Sequence, residues 1–271
     1  MALDETWLAA TFGLSGRSAV VTGGTRGIGY MIAEGLLRAG AEVVICSRSA
    51  ADCDEAVDRL SLVGPAHGAV CDLSTESGTV ALSEHVAARQ DSVDILVNNA
   101  GTAWGAPLDS YPEEGWDKVM ALNLKAPFML TRHLLPLLSR GATREGPARV
   151  INIGSIDGLI VPTIPNYAYS ASKAAVHHLT HVLARELAAS HVLVNAIAPG
   201  PFESRMTAWA LEDHEDVIAA SSPLGRIGAP LDIAAAAVFL AGAGSGYVTG
   251  AVVPVDGGIA TTATSGRPPL S

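Results

Sequence analysis

The chain has 271 residues, 49% of them apolar and 16% charged, which excludes a disordered polymer and allows a large core without disulfides. Twenty-seven acidic residues against 17 basic ones give a formal net charge of −10, which argues against nucleic acid and anionic membranes as partners. The cysteines, Cys46, Cys53 and Cys71, are odd in number and lack CxxC spacing, so neither a disulfide framework nor a cysteine metal site is expected.

Residues 1–14 form an N-terminal arm whose Trp7, Leu8 and Phe12 are expected to pack on the body or on a neighbouring subunit. The arm has Asp4 and Glu5 and no basic stretch, so it is not a signal peptide, and the Ala-rich run 233–243 is too short to span a bilayer. A cytoplasmic protein with no membrane contact is expected. Strands are predicted at 19–22, 42–46, 69–71, 94–98, 149–153, 192–197 and 252–255. Helices are predicted at 27–39, 75–89, 113–139, 167–189 and 232–240, with Pro136 expected to kink or shorten the third. Most strand segments are apolar throughout, the pattern of strands buried on both faces. Their alternation with helices predicts an α/β fold, one doubly wound (Rossmann) parallel sheet of about seven strands with helices on both faces. No linker interrupts residues 15–258, which reads as one domain, and the tail 259–271 is expected to fray.

Between the first strand and first helix lies Thr22-Gly23-Gly24-Thr25-Arg26-Gly27-Ile28-Gly29. Glycines there permit a tight turn and close backbone approach to a pyrophosphate, whose charge the helix N-terminus holds. No Gly-Lys-[Ser/Thr] follows, which excludes a P-loop. The spacing Gly23-x-x-x-Gly27-x-Gly29 also differs from GxGxxG.

This turn resembles that of the short-chain dehydrogenase/reductases, and the resemblance runs from residue 15 to 258. Further motifs recur in order: Asn98-Asn99-Ala100-Gly101, Asn123, Ser155, Tyr169-Ser170-Ala171-Ser172-Lys173 and Pro199-Gly200. Residues 98–104, 151–155 and 204–207 are similar to bacterial NADPH-dependent β-ketoacyl reductases of the rhamnolipid type. The resemblance implies cofactor contacts at Gly23, Thr25, Arg26, Gly27, Ile28 and Gly29 of the turn. It implies that Asp72 and Leu73 flank the adenine, that Asn99, Ala100 and Gly101 line the route to the nicotinamide ribose, and that Pro199, Gly200 and Ser204 lie by the carboxamide. A mobile substrate lid is implied around residues 201–223. The family's homotetramers imply subunit packing through the helices at 113–139 and 167–189.

The second strand ends Ile45-Cys46-Ser47-Arg48, without the carboxylate that would bind a ribose 2′-hydroxyl. Arg48 and Ser47 can instead hold a 2′-phosphate, with Arg26 approaching from the other side, so NADP(H) is expected.

Tyr169 and Lys173, four apart in a helical segment, share a face. A phenol of ordinary pKa about 10 is a useful acid or base near neutrality only if that value falls, which the lysine's charge together with the positive nicotinamide ring of an oxidised cofactor can bring about. Ser155, at a strand's C-terminal end, can hold the substrate oxygen in line with Tyr169. It lacks a Gly-x-Ser-x-Gly elbow and an evident histidine base, so it does not read as a hydrolase nucleophile. The resemblance implies a catalytic set of Asn123, Ser155, Tyr169 and Lys173, with Lys173 also binding the nicotinamide ribose and Asn123 holding a water in a proton relay.

His177, His178 and His181 crowd one helix, but His178 stands where HExxH needs its glutamate, so a surface or subunit-contact role is expected rather than a metal. The acidic run 212–216 reads as a solvated face. Trp104, Leu159, Ile160, Ile164 and Trp209 are candidates for an apolar substrate pocket or for plain core. Asp157 reads either a polar substrate group or solvent. The stretch 135–137 lacks the basic residue that carrier-protein-dependent relatives tend to place there. These residues together predict an NADPH-dependent reductase of a small-molecule ketone, with a 3-oxoacyl thioester as leading substrate. A cyclic ketone, sugar or steroid alcohol is the alternative substrate, and a non-catalytic NADP(H) sensor or scaffold the alternative class.

Overall fold

Each predicted strand forms, and the reason is visible in how its side chains divide. In the first strand, β1 (Ser18–Thr22), Ala19 and Val21 enter one core and Val20 the other. In β2 (Glu42–Ser47), Val43 and Ile45 part in the same way from Val44 and Cys46. A run apolar at every position is what a strand between two helical layers requires. The computed structural model describes residues 4–162, 164–204 and 216–262. β3 (Ala66–Val70), β4 (Ile95–Asn98), β5 (Ala148–Ile153), β6 (Val192–Pro199) and β7 (Val252–Val255) complete one parallel sheet of seven strands, ordered β3-β2-β1-β4-β5-β6-β7.

Helices among the described residues include α1 (Glu5–Phe12), α2 (Gly27–Arg38), α3 (Ala50–Ser61), α4 (Glu76–Ala87), α5 (Glu113–Met120), α6 (Ala126–Gly141), α7 (Tyr167–Leu187), α8 (Pro230–Ala241) and α9 (Ile259–Thr262). Residues of α2, α3 and α8 fill the core on one face of the sheet, and those of α4, α6 and α7 the core on the other. The α2–α8 contact is tight, because a Cβ on Gly35 would stand 2.7 Å from that of Ala234. The order reverses between β1 and β4, and at such a switch point the strand ends diverge and leave a crevice.

Four local expectations change. The third strand runs 66–70 rather than 69–71. Helix α3 was not predicted: Asp, Glu and Ser dilute its apolar face to Cys53, Ala56 and Leu60, yet Ser49 caps it by accepting from the Asp52 amide at 3.2 Å. The arm folds as α1, with Asp4 accepting from the Trp7 amide at 3.0 Å, and Thr11 and Phe12 lie against Gly242 and Gly244 of the body. The predicted helix 113–139 does not shorten at Pro136, and α6 continues to Gly141. Its break comes earlier, where Ala121–Lys125 form a π-helical turn and the Ala126 amide reaches back to the Ala121 carbonyl. Such turns gather at functional sites, and this one holds Asn123.

Candidate active site

The turn after β1 is shaped by what it excludes. Gly23 and Gly27 have φ of +63° and +53°, a region where side chains are strained. A Cβ on Gly29 would lie 2.3 Å from both Asn99 Nδ2 and the Gly23 carbonyl oxygen. Asn99 needs that space, since its Nδ2 donates to the Thr22 and Gly23 carbonyls at 2.8 and 3.2 Å. The Thr22 hydroxyl in turn accepts from the Asn99 and Ala100 amides at 2.8 and 2.9 Å. Residue 26 gives α2 no side-chain cap, so its first amides are available to an anion. A cradle that a single Cβ would fill suits a dinucleotide diphosphate. Gly29→Ala is expected to cost about 1–3 kcal/mol in overpacking and to lower Tm by roughly 2–4 °C per kcal/mol, with dinucleotide affinity falling about tenfold or more. Thermal melts and a cofactor fluorescence titration measure both, and unchanged values would show that the turn has slack.

At the end of β2, Arg48 is exposed and its charge bears on Asp72. Asp72 accepts from the amide and hydroxyl of Ser74 at 3.0 and 2.7 Å, and despite partial desolvation these bonds, with Arg48, hold its carboxyl below the usual range. Ser47 accepts from the Ser49 amide at 3.3 Å. Leu73 is buried among core residues of α4 and α6. Arg26, expected to approach the phosphate from the other side, is ion-paired to Asp52 of α3 at 2.9 Å. Asp52 and the N-terminus of α3 were both missed, because the helix that carries them was not predicted.

The catalytic candidates gather where β4 to β6 end. Ser155 follows β5 and is buried, with a hydrogen bond to Tyr169. Buried Lys173 donates to the Ile153 carbonyl at 2.7 Å, and its Nζ lies 5.5 Å from the centre of the Tyr169 ring. Asn123 is clamped to the Thr102 backbone: its Oδ1 accepts from the amide at 2.8 Å and its Nδ2 donates to the carbonyl at 2.9 Å and to the Ser172 hydroxyl at 3.1 Å. A Cβ on Gly101 would stand 3.3 Å from Asn123 Oδ1 and 3.7 Å from Lys173 Nζ. Ser172 was not singled out in the sequence. It ties Asn123 to α7, because its hydroxyl also donates to the Tyr169 carbonyl at 2.7 Å.

Burial sets the electrostatics of Tyr169 and Lys173. Burial pushes the Tyr169 phenol up to about 12; Ser155 opposes the shift and Asp157 adds to it. Burial draws the Lys173 ammonium down to about 8. Lys173 nonetheless keeps its positive charge beside the phenol, one N–H of its ammonium going to the Ile153 carbonyl. A protonated phenol can give its proton to a substrate oxygen.

Beneath these groups, Asn98 donates to Asn152 at 2.9 Å and to Thr131 at 3.2 Å, and Asn152 donates to Thr180 at 2.9 Å. This buried network fixes β4 and β5 to α6 and α7. His177 is also buried, contrary to the surface role expected of it: a Cβ on Gly154 would fall 2.0 Å from its Nε2. Burial and the Lys173 charge lower its pKa to about 4, so it is neutral packing under the Ser155 loop. His178 and His181 are exposed and meet edge to face. Among the described residues no group of three His, Cys, Asp or Glu is placed to hold a metal, and no helix is long and apolar enough to cross a membrane.

Pro199 ends β6, and Gly200 passes Asp256 so closely that a Cβ would lie 2.8 Å from its Cα. Buried Phe202 bridges to Gly228, and Ser204 approaches Gly27 of the cofactor turn. Leu159, Ile160 and Ile164 are exposed beyond Ser155, while Trp104 rests one face on Gly115 with Lys118 Nζ 5.4 Å above its ring. The central part of the expected lid (205–215), including Trp209 and most of the acidic run, and the tail beyond residue 262 lie outside the described residues.

Known proteins are similar to this chain in sequence and fold. A family model described as enoyl-(acyl carrier protein) reductase matches residues 23–260. The rhamnolipids biosynthesis 3-oxoacyl-[acyl-carrier-protein] reductase of Pseudomonas aeruginosa is 51% identical over 91% of this chain and 97% of its own length. A gluconate 5-dehydrogenase of Gluconobacter oxydans is 36% identical over 92% of this chain and 96% of its own. Among solved structures, the Pseudomonas aeruginosa RhlG/NADP active-site complex superposes with a TM-score of 0.90 at 50% identity, covering 93% of this chain and 99% of that one. With a seven-stranded Rossmann sheet, a glycine cradle at its switch point and relatives matched along almost their whole length, the chain belongs to the short-chain dehydrogenase/reductase family.

Proposed function

We propose that the protein reduces a 3-oxoacyl thioester, or a closely related β-keto compound, to the secondary alcohol with NADPH. The convergence of Ser155, Tyr169, Lys173 and Asn123 at the strand ends beside the glycine cradle carries this reading. The cofactor supplies the hydride. Ser155 holds the carbonyl oxygen, Tyr169 gives it a proton, and Lys173 holds the nicotinamide ribose and the path by which Tyr169 is reprotonated. Asn123, fixed by Thr102 and Ser172, keeps the π-helical turn at the end of that path. A non-catalytic NADP(H) sensor would have no use for all four groups in one place.

The exposed apolar residues Leu159, Ile160 and Ile164 offer an acyl chain a surface beyond Ser155. Pro136 has no charge, but exposed Arg132 and Arg140 lie one turn to either side on the same face. Medium-chain 3-oxoacyl thioesters are therefore expected to be reduced faster than aldoses or steroid ketones. NADPH oxidation followed by absorbance across a ketone panel tests this. Faster turnover of sugars would favour the polyol-dehydrogenase reading instead, and no NADPH consumption with any ketone would favour the sensor.

The reading includes a cytoplasmic homotetramer assembled through α5, α6 and α7, whose outer faces expose Trp116, Phe128 and Val182. Light scattering measures that assembly directly.

A further inference from the structure

Two residues beyond Ser155 stands a carboxylate that the mechanism above does not use. Asp157 is half-buried and, among the described residues, has no cationic partner. Burial accordingly raises its pKa, and Asn166 opposes the rise. A desolvated carboxylate without a cation is costly, so it does not read as a solvated surface group. Its surroundings are specific. The Asp157 amide donates to Ser155 Oγ at 3.1 Å. Its Oδ2 accepts from Nδ2 of buried Asn166, the residue before α7, at 2.8 Å. Asn166 Oδ1 accepts from the Ser170 hydroxyl at 2.5 Å. A chain of side chains thus runs from the Ser155 turn to the helix that carries Tyr169, and its one full charge is negative.

We infer that Asp157 is a positioning residue for proton transfer: through Asn166 and Ser170 it ties the Ser155 turn onto α7, and it sets a negative charge in the turn that faces Tyr169. The inference rests on Tyr169 being the proton donor. The titratable groups that bear on Tyr169 are Asp157 from the facing turn and, from its own helix, Lys173. The sign follows from charge alone. A negative neighbour disfavours the phenolate. Reduction needs the phenol, so it persists below the Tyr169 titration and fails above it. Alcohol oxidation needs the phenolate and shows the opposite limb. Removing the charge moves both limbs toward lower pH.

The experiment is a pair of pH profiles of kcat and kcat/KM, for ketone reduction with NADPH and alcohol oxidation with NADP⁺, on the intact enzyme. Asp157→Asn keeps an acceptor for Asn166 and loses the charge. Both limbs are expected to shift down by about 0.5–1 pH unit, so that oxidation on its rising limb gains roughly three- to tenfold. Asn166→Ala breaks the bridge and keeps the carboxylate; it is expected to lower kcat without moving the limbs down. If Asp157→Asn lowers kcat with both limbs in place, or raises KM alone as a substrate-reading residue would, the inference is wrong. It is equally wrong if both variants shift the limbs alike. Tyr169→Phe separates this failure from that of the underlying reading: an inactive Tyr169→Phe enzyme beside unmoved limbs overturns only the role of Asp157.

Discussion

Tyr169→Phe is expected to lower kcat by about 10²–10⁴-fold, the range for loss of a general acid, while NADPH binds nearly as before. The substitution keeps the ring, which is half-buried against the Ser155 turn, and removes only the hydroxyl that hydrogen-bonds Ser155. Burial already disfavours the charged form of this phenol, so the hydroxyl's contribution at neutral pH is its proton. Lys173→Ala should behave differently. The ammonium is buried, bonded to the Ile153 carbonyl, and close to Asn123 through Gly101. Its loss leaves a strand carbonyl without its donor, costing about 1–3 kcal/mol, and removes a cofactor contact as well. Both kcat and NADPH affinity are expected to fall. Single-turnover rates with cofactor titrations separate the two effects, and a Tyr169→Phe enzyme running near the wild-type rate would remove Tyr169 from the chemistry.

The framework was legible in the sequence because burial on both faces leaves a signature independent of partners: seven apolar runs, each followed by helix or turn signals. What escaped was decided by contacts between segments distant in sequence. Helix α3 has too few apolar residues to announce itself, yet Cys53, Ala56 and Leu60 suffice once β2 and β3 lie beneath them. Tyr169 and Lys173 stood out by their spacing and Ser155 by its place at a strand end, whereas Asn123 was assigned by family resemblance alone. Spacing places Lys173 one turn from Tyr169 without revealing that its ammonium turns to the Ile153 carbonyl. The π-helical turn at Asn123 left no trace in composition, since Ala, Leu and Lys are ordinary helix formers. His177 was misread because it adjoins His178 and His181 on one helix and so looks exposed, whereas Gly154 and Gly158 pack against it and it is buried.

NADPH is expected to exceed NADH by at least about tenfold in kcat/KM, and Arg48→Asp to reverse that preference. The 2′-phosphate carries close to two negative charges, and Arg48 stands exposed at the end of β2, where a 2′-hydroxyl binder would offer a carboxylate. Each hydrogen bond from a guanidinium to the phosphate contributes about 1.5–3 kcal/mol, enough for one to two decades from Arg48 alone. Arg26 enters less simply, because Asp52 already holds it at 2.9 Å. Both members of that pair are substantially exposed, 52% and 41%, and exposed pairs are worth only about 0–1 kcal/mol. A dianionic phosphate can therefore draw Arg26 away from Asp52, and Arg26 should keep NADPH binding measurable in the Arg48→Asp enzyme. The new carboxylate repels the phosphate and accepts from a free 2′-hydroxyl, so both sides of the discrimination move together. Asp52→Asn should act the other way, freeing Arg26 and raising the NADPH preference about two- to fivefold, in line with the weak pair it dissolves. The measurement is kcat/KM for both cofactors in the three proteins at one salt concentration, since these contacts are screened. Equal use of both cofactors by the unmodified enzyme would remove both arginines from the phosphate site, and an Arg48→Asp enzyme that still prefers NADPH would leave Arg26 as its principal ligand.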